Sequence, residues 1–215
     1  MIYTPSHFAA SEADTLALMQ AYAFAQVIDV AEGGEPRISY CPVVVDVARR
    51  EIRGHVAAAN PQAKAWRAAA QAPRVLAVFN GPHAYVSPNW YEAGPAVPTW
   101  NYMSAQVGGK LTLIDDVAGK EAVLEALIAL HEPGYASQWN ALPADYRERM
   151  LGAICAFAIS MDEVHGKFKL SQNRPAADRS RVHDTLEEQG GDGAALARWM
   201  QQLGLVGPTQ AGGEV

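Results

Sequence analysis

Residues 80–102 read NGPHAYVSPNWYEAGPAVPTWNY, and this stretch limits how the chain around it can fold. Pro82, Pro88, Pro95 and Pro98 each fix φ and remove a backbone donor, which argues against a continuous helix or a central strand across the tract. Tyr85, Trp90, Tyr91, Trp100 and Tyr102 stand among them. Rings at that density are too apolar to stay idle in solvent, and their N–H and O–H groups need partners once buried. An irregular, rigidified aromatic segment of this kind reads as a binding loop or a subunit contact.

The sequence on either side of the tract is strand-like. Upstream, RVLAVFNG is a nearly continuous apolar run that fits a strand buried on both faces, and AYVS forms a short strand just before the loop. Downstream, TWNYMSAQVGGKLTLIDD reads as two strands or one long bent strand, with Gly108–Gly109 marking the bend or a bulge.

Earlier in the chain, AFAQVIDV and RISYCPVVVD flank EGGEP in a hairpin pattern, where Gly33 and Gly34 supply the left-handed conformations of a tight turn. EIRGHVA follows as a third strand. Asn60 then caps a helix that carries Pro61 at its first position. Near the N-terminus, Ser11 with Glu12 and Asp14 marks a helix start, with Leu16, Met19 and Ala23 on one face.

The second half is mostly helical. VAGKEAVLEALIALHE places Val117, Val123, Leu124, Leu127, Ile128 and Leu130 on a broad apolar face, and Pro143, Ala144 and Asp145 open a short helix. AICAFAISMDEVHGKFKLS returns to strand character, and Ala176–Glu188 and Ala194–Leu203 read as terminal helices. Strands early, helices late and one returning strand define an α+β fold, closed most naturally as a largely antiparallel barrel with peripheral helices. The expected organisation is a barrel domain over 1–172 with inserted helices, a helical extension over 173–206 and a flexible tail over 207–215.

Composition narrows the function classes. The net charge of −6 argues against a general nucleic-acid binder, so direct DNA binding is not expected. Lys167, Lys169, Arg174, Arg179 and Arg181 form a basic run opposed within it only by Asp178, which suits either a solvated face or an anion site. No apolar run approaches membrane-spanning length, and the N-terminus lacks the pattern of a signal peptide, so a cytoplasmic location is expected. Cys41 and Cys155 lie in apolar contexts and read as buried structural thiols. The six histidines show no metal-ligand spacing, and no phosphate loop, dinucleotide fingerprint or nucleophile elbow is present. His55, at the end of a strand that runs into a helix, is the one histidine placed where a phosphorylated ligand could sit.

Taken together and in order, RGHVAAANP, FNGPHAYVSPNWYE, VPTWNY and KFKLSQNR resemble the PaiB family, described as FMN-binding negative transcriptional regulators. The resemblance runs from YTPSHF to the helix after Arg174. It implies an FMN-binding split β-barrel, a homodimer and flavin sites at the subunit interface. It also implies a negative regulator or a ligand-sensing module that holds FMN or another phosphorylated planar molecule. A flavin-dependent oxidoreductase, as among pyridoxamine phosphate oxidase-like proteins, or a member that has lost FMN are the alternatives.

On this resemblance, Ser39, His55 and Asn60 serve the phosphate and ribityl end, and Trp100 and Asn101 face the ring system. Lys169, Ser171, Gln172 and Asn173 reach in beside them. Three positions depart from the family pattern: Tyr40 and Gln106 stand where histidines are usual, and Ala58 where an arginine is usual. Loss of that guanidinium implies weak FMN binding.

Overall fold

A computed structural model describes residues 2–92 and 94–207. Its elements follow the patterns above. Helix α1 (Glu12–Ala21) leads into β1 (Phe24–Val30), β2 (Pro36–Asp46) and β3 (Glu51–Ala57). Helix α2 (Pro61–Ala68) precedes β4 (Arg74–Val86) and β5 (Thr99–Ile114). Helices α3 (Val117–His131), α4 (Ala136–Ala141) and α5 (Ala144–Gly152) are followed by β6 (Ile154–Ser160) and β7 (Glu163–Lys169). Helices α6 (Ala176–Gln189) and α7 (Gly191–Gln202) end the described chain. The strand order is β4-β1-β2-β3-β6-β5-β7, and a further pairing of β4 with β5 joins the first strand to the sixth, so six strands form a ring.

The chain divides into two compact units. The barrel unit comprises Glu12–Phe79 and Ala105–His165. Within the described residues, the C-terminal unit comprises residues 2–11, 80–104 and 166–207.

In the barrel unit the strand alternation sorts side chains cleanly. Ala25 and Val27 on β1, Cys41 and Val43 on β2, Ile52 and Val56 on β3 and Phe157 and Ile159 on β6 are all buried. The register fixes this sidedness: Val27 faces Ser39 and Val43 faces Gly54, so inward residues meet inward residues across each antiparallel pair. The β1–β2 turn closes with Gly34 at φ 87, as a tight hairpin requires. Gly109 answers a different need. A Cβ there would lie 1.7 Å from the carbonyl oxygen of Ser160, so the glycine permits a close backbone approach rather than marking a break, and β5 runs on through it.

Several expectations change in detail. The buried residues of α1 are Thr15, Leu18 and Met19, because the helix ends at Ala21 and leaves Ala23 outside. The apolar face of α3 narrows to Val123 and Leu127, with Val117 and Leu130 exposed. RVLAVFNG and AYVS form one strand that passes through Pro82. The β4–β1 register covers only Leu76–Val78, so at Pro82 the strand has left that partner and no β1 bond is lost there. The returning strand is two strands, β6 and β7, which lie on either side of β5. Residues 208–215, most of the expected tail, lie outside the described residues.

In the C-terminal unit, α6 buries Val182, His183 and Leu186 and α7 buries Leu196 and Met200. Phe168 of β7 packs edge-on against Trp199 at 5.8 Å between ring centroids. The Asp178 carboxylate, on the first turn of α6, accepts the backbone N–H of Glu92 at 2.9 Å and so ties down the aromatic loop. Among the described residues, no helix is long and apolar enough to cross a membrane.

Candidate functional site

The residues expected to hold a ligand fall into two groups, one in each unit. In the barrel unit, Ser39 points inward from β2 and is buried. Its hydroxyl accepts the Asn60 side-chain amide at 2.9 Å. Asn60 Oδ1 in turn accepts the N–H of Gln62 at 2.8 Å, and its carbonyl accepts that of Lys64. Asn60 is therefore a helix cap braced from the sheet, with both ends of its side chain engaged. Ala58 donates its N–H to the carbonyl of Ala153 at 2.8 Å, which commits another donor of the same turn.

His55 occupies the other face of the sheet. Because Ile52, Gly54 and Val56 are buried, the side chain between the last two points out of the barrel. The imidazole is half-buried, its Nδ1 has no hydrogen-bond partner, and burial lowers its pKa below the usual histidine value. An enclosed ring nitrogen without a partner is costly, which makes it a candidate to meet a ligand. The surrounding outward face of β1 and β2 is apolar. Phe24 and Tyr40 are 64% and 62% exposed and stack at 6.3 Å, with Ile38 and Val30 also exposed. Tyr40 thus lies on the same outer face of the sheet as His55, while Ser39 and Asn60 serve the interior.

One buried cluster of the barrel unit was not foreseen. Asp29, inward on β1, receives Arg37 through two hydrogen bonds of 2.9 and 2.7 Å, Trp66 Nε1 at 2.9 Å and Gln62 Nε2 at 3.1 Å. Burial alone would raise its pKa, but these donors outweigh burial and hold the carboxyl below its ordinary value. The signal in the sequence was the aspartate at an inward position of the alternation Ala25, Val27, Asp29.

In the C-terminal unit, Asn101 is buried on β5 and exchanges hydrogen bonds with Ser171, Nδ2 to Oγ at 3.1 Å and Oγ to Oδ1 at 3.2 Å. Ser171 has φ 63, a left-handed conformation unusual for a residue with a side chain. The turn it opens closes with the Arg174 N–H on the Ser171 carbonyl. Lys169 donates to Thr99 Oγ1 and to the carbonyl of Trp100. Burial, with Lys167 adding to it, lowers the pKa of its ammonium.

The Arg174 guanidinium lies over the ring of Tyr91 at 4.1 Å from its centroid. Lys169, Ser171, Asn173, Arg174, Asn101 and Thr99, flanked by Tyr91 and Val97, enclose a cavity of about 160 Å³. Two expected residues stand apart from it. Gln172 folds back on its own backbone, bonding Leu170 N–H and the Phe168 carbonyl. Trp100 is 52% exposed, with His83 and Tyr85 beside its ring. Thr99, Tyr91 and Arg174 complete the pocket without having been named for it. Arg174 was visible only as part of the basic run.

That run does not present a uniform basic surface. Lys167 donates to the carbonyl of Tyr3, Arg179 to those of Leu205 and Arg174, and Arg181 pairs with Glu92. Cys41 and Cys155 are both buried and free, and burial pushes the Cys41 thiol up to about 12.

Residues 2–163 match the family described as "Putative FMN-binding domain". The chain is 30% identical over 193 residues to the protease synthase and sporulation protein PAI 2 of Bacillus subtilis, covering 87% of this chain and 90% of that protein. The chain therefore belongs to the FMN-binding domain family of PaiB type. Two solved structures share the fold. The flavocytochrome Anf3 of Azotobacter vinelandii superposes with a TM-score of 0.59 at 19% identity, covering 75% of this chain and 69% of that one. The FAD and heme binding protein of Mycobacterium smegmatis gives 0.56 at 19% identity, covering 75% and 73%.

Proposed function

We propose that this chain is a PaiB-type flavoprotein that binds FMN as a homodimer, works in the cytoplasm and acts as a ligand-sensing module in negative regulation. The observation that carries the flavin reading is His55, whose enclosed Nδ1 lacks a partner on the outer face of the barrel unit. An imidazole there can offer a hydrogen bond to a polar edge of a planar ligand, and family membership names FMN as that ligand. The residues present fit a flavin ring better than its phosphate. Tyr40 and Phe24 offer aromatic surface, whereas the turn around Ala58 has no cation at that position and several of its donors are committed. When bound, FMN supplies its own redox chemistry, and the protein contributes binding and orientation.

The dimer is supported by the same face. Phe24, Val30, Ile38 and Tyr40 form a large exposed apolar surface, of a kind usually covered by a partner. A regulatory role would be indirect. The protein is acidic, and Lys167, Arg179 and Arg181 are engaged with carbonyls or a carboxylate of the same chain. The buried free thiols suit a reducing compartment.

Titration of the purified full chain with FMN, followed by quenching of flavin fluorescence, tests the cofactor reading. Saturable one-to-one binding that weakens at least tenfold in His55→Phe is expected. Binding indifferent to that substitution would remove the site from this face. Sedimentation of the same preparation at micromolar concentration should give twice the chain mass.

A further inference from the structure

The C-terminal unit carries its own ligand site, independent of the flavin reading. Lys169 and Arg174 both line the 160 Å³ cavity, and no carboxylate lines it. Among the described residues, Lys169 bonds only to a hydroxyl and a carbonyl, and Arg174 bears on a ring face. No ion pair among the described residues engages either cation. Both cations line one partly enclosed cavity, so an anion there would meet positive charge from each of them.

The remaining lining matches an anion as well. Ser171, Asn173, Asn101 and Thr99 present hydroxyl and amide groups. Ser171 is held in a left-handed conformation by Asn101 and by the turn to Arg174, and backbone strain of this kind persists where a site requires it. The fixed partners of Lys169 and the ring beneath Arg174 orient both cations before any ligand arrives.

We infer that this pocket binds a compact oxyanion, the carboxylate or phosphate of a small ligand other than the flavin. Size favours a compact ligand: the cavity of about 160 Å³ is small beside the roughly 300–1,000 Å³ of pockets that enclose drug-sized ligands. Tyr91 and Val97 leave an apolar flank for a few carbon atoms.

The test uses the full chain and thermal denaturation at constant ionic strength, with inorganic phosphate, acetate or chloride as the varied anion. Phosphate or acetate should raise the melting temperature in a saturable way that chloride does not. Arg174→Gln should weaken that response at least tenfold in concentration. Asn173→Asp, a change at an exposed lining residue that leaves the buried packing intact, should abolish it by placing a carboxylate in the pocket. FMN titration of Arg174→Gln should match wild type. No response beyond chloride, or a response in both variants equal to that of wild type, would overturn the site. Competition of FMN with phosphate would also overturn it, because the pocket would then belong to the cofactor. Failure of FMN to bind at all, with the phosphate response intact, would sink the flavin reading and leave this site standing.

Discussion

Each unit buries charge, and the two do it in opposite ways. In the barrel unit, Asp29 is surrounded by Arg37, Trp66 and Gln62, so the carboxylate meets a guanidinium, an indole N–H and an amide inside one chain. In the C-terminal unit, Lys169 and Arg174 line a cavity with no carboxylate among its walls. The first cluster is closed, with its charge answered internally. The second is open and lacks its counter-charge. A closed cluster reports on how the fold holds together, and an open one reports on what the fold is for.

The largest effect should come from breaking the closed cluster. Asp29→Asn keeps the shape but leaves Arg37 facing a neutral amide, with one or more donors competing for fewer lone pairs. Removing one partner of a buried pair costs about 3–5 kcal/mol, and partial exposure of Arg37 places this case near about 3 kcal/mol. Urea denaturation of wild type and variant measures it. A loss under 1 kcal/mol would mean that the cluster is not what anchors α2 to the sheet.

The same carboxylate sets a pH dependence. Its folded pKa lies below the unfolded value, so its contribution is complete above the ordinary carboxylate range and is lost as pH falls through the depressed folded value. The stability gap between wild type and Asp29→Asn should stay constant from pH 7 to about pH 5 and close below the ordinary carboxylate range. A gap that instead widened on acidification would reverse the assigned direction.

Much of the barrel was legible because its strands alternate. Phe24–Val30, Pro36–Asp46 and Glu51–Ala57 were readable from period-two burial and the Gly33–Gly34 turn. What stayed hidden depended on distant pairing. Pro82 argued against a strand, yet β4 passes it because β1 has already ended beside it. The β6–β7 turn at Met161–Asp162 carries no glycine or proline to announce it.

The site divides in the same manner. KFKLSQNR stood out as a polar motif, but the pocket it lines includes Ser171 in a left-handed conformation that serine does not advertise. His55 was legible as a candidate. Its unpartnered nitrogen became visible only once the sheet's sidedness was fixed. Asn60 shows the limit of residue type as a guide, since the residue read as a ligand contact is spent on capping and bracing.

A middle-sized effect is expected where the barrel unit lacks a cation. Ala58→Arg would supply a guanidinium to the turn after β3, where the resemblance to the PaiB family expects one. A charge-assisted contact to phosphate contributes about 1.5–3 kcal/mol, roughly ten- to a hundredfold in affinity. FMN should therefore bind measurably tighter to Ala58→Arg than to wild type, whereas riboflavin, which lacks the phosphate, should bind both alike. Equal gains for both ligands would mean that the arginine acts by stacking or packing, and the phosphate would have to be placed elsewhere.

The smallest effect is the sharpest test of the contrast between closed and open clusters. Arg37→Gln and Arg174→Gln each remove one guanidinium, and a view based on charge count alone expects similar outcomes. The structure expects different ones. Arg37→Gln strands Asp29 at 2% side-chain exposure and should cost about 3 kcal/mol. Arg174→Gln removes a contact with the Tyr91 ring, worth about 0.5–1 kcal/mol at a partly exposed site. Without any added anion, Arg174→Gln should therefore unfold within about 1 kcal/mol of wild type. In saturating phosphate the variant should fall behind, because only wild type gains stability from a bound anion. If Arg174→Gln is instead as damaging as Arg37→Gln in the absence of anion, then Arg174 has an internal role as firm as that of Arg37, and the pocket is a second closed cluster rather than an open one.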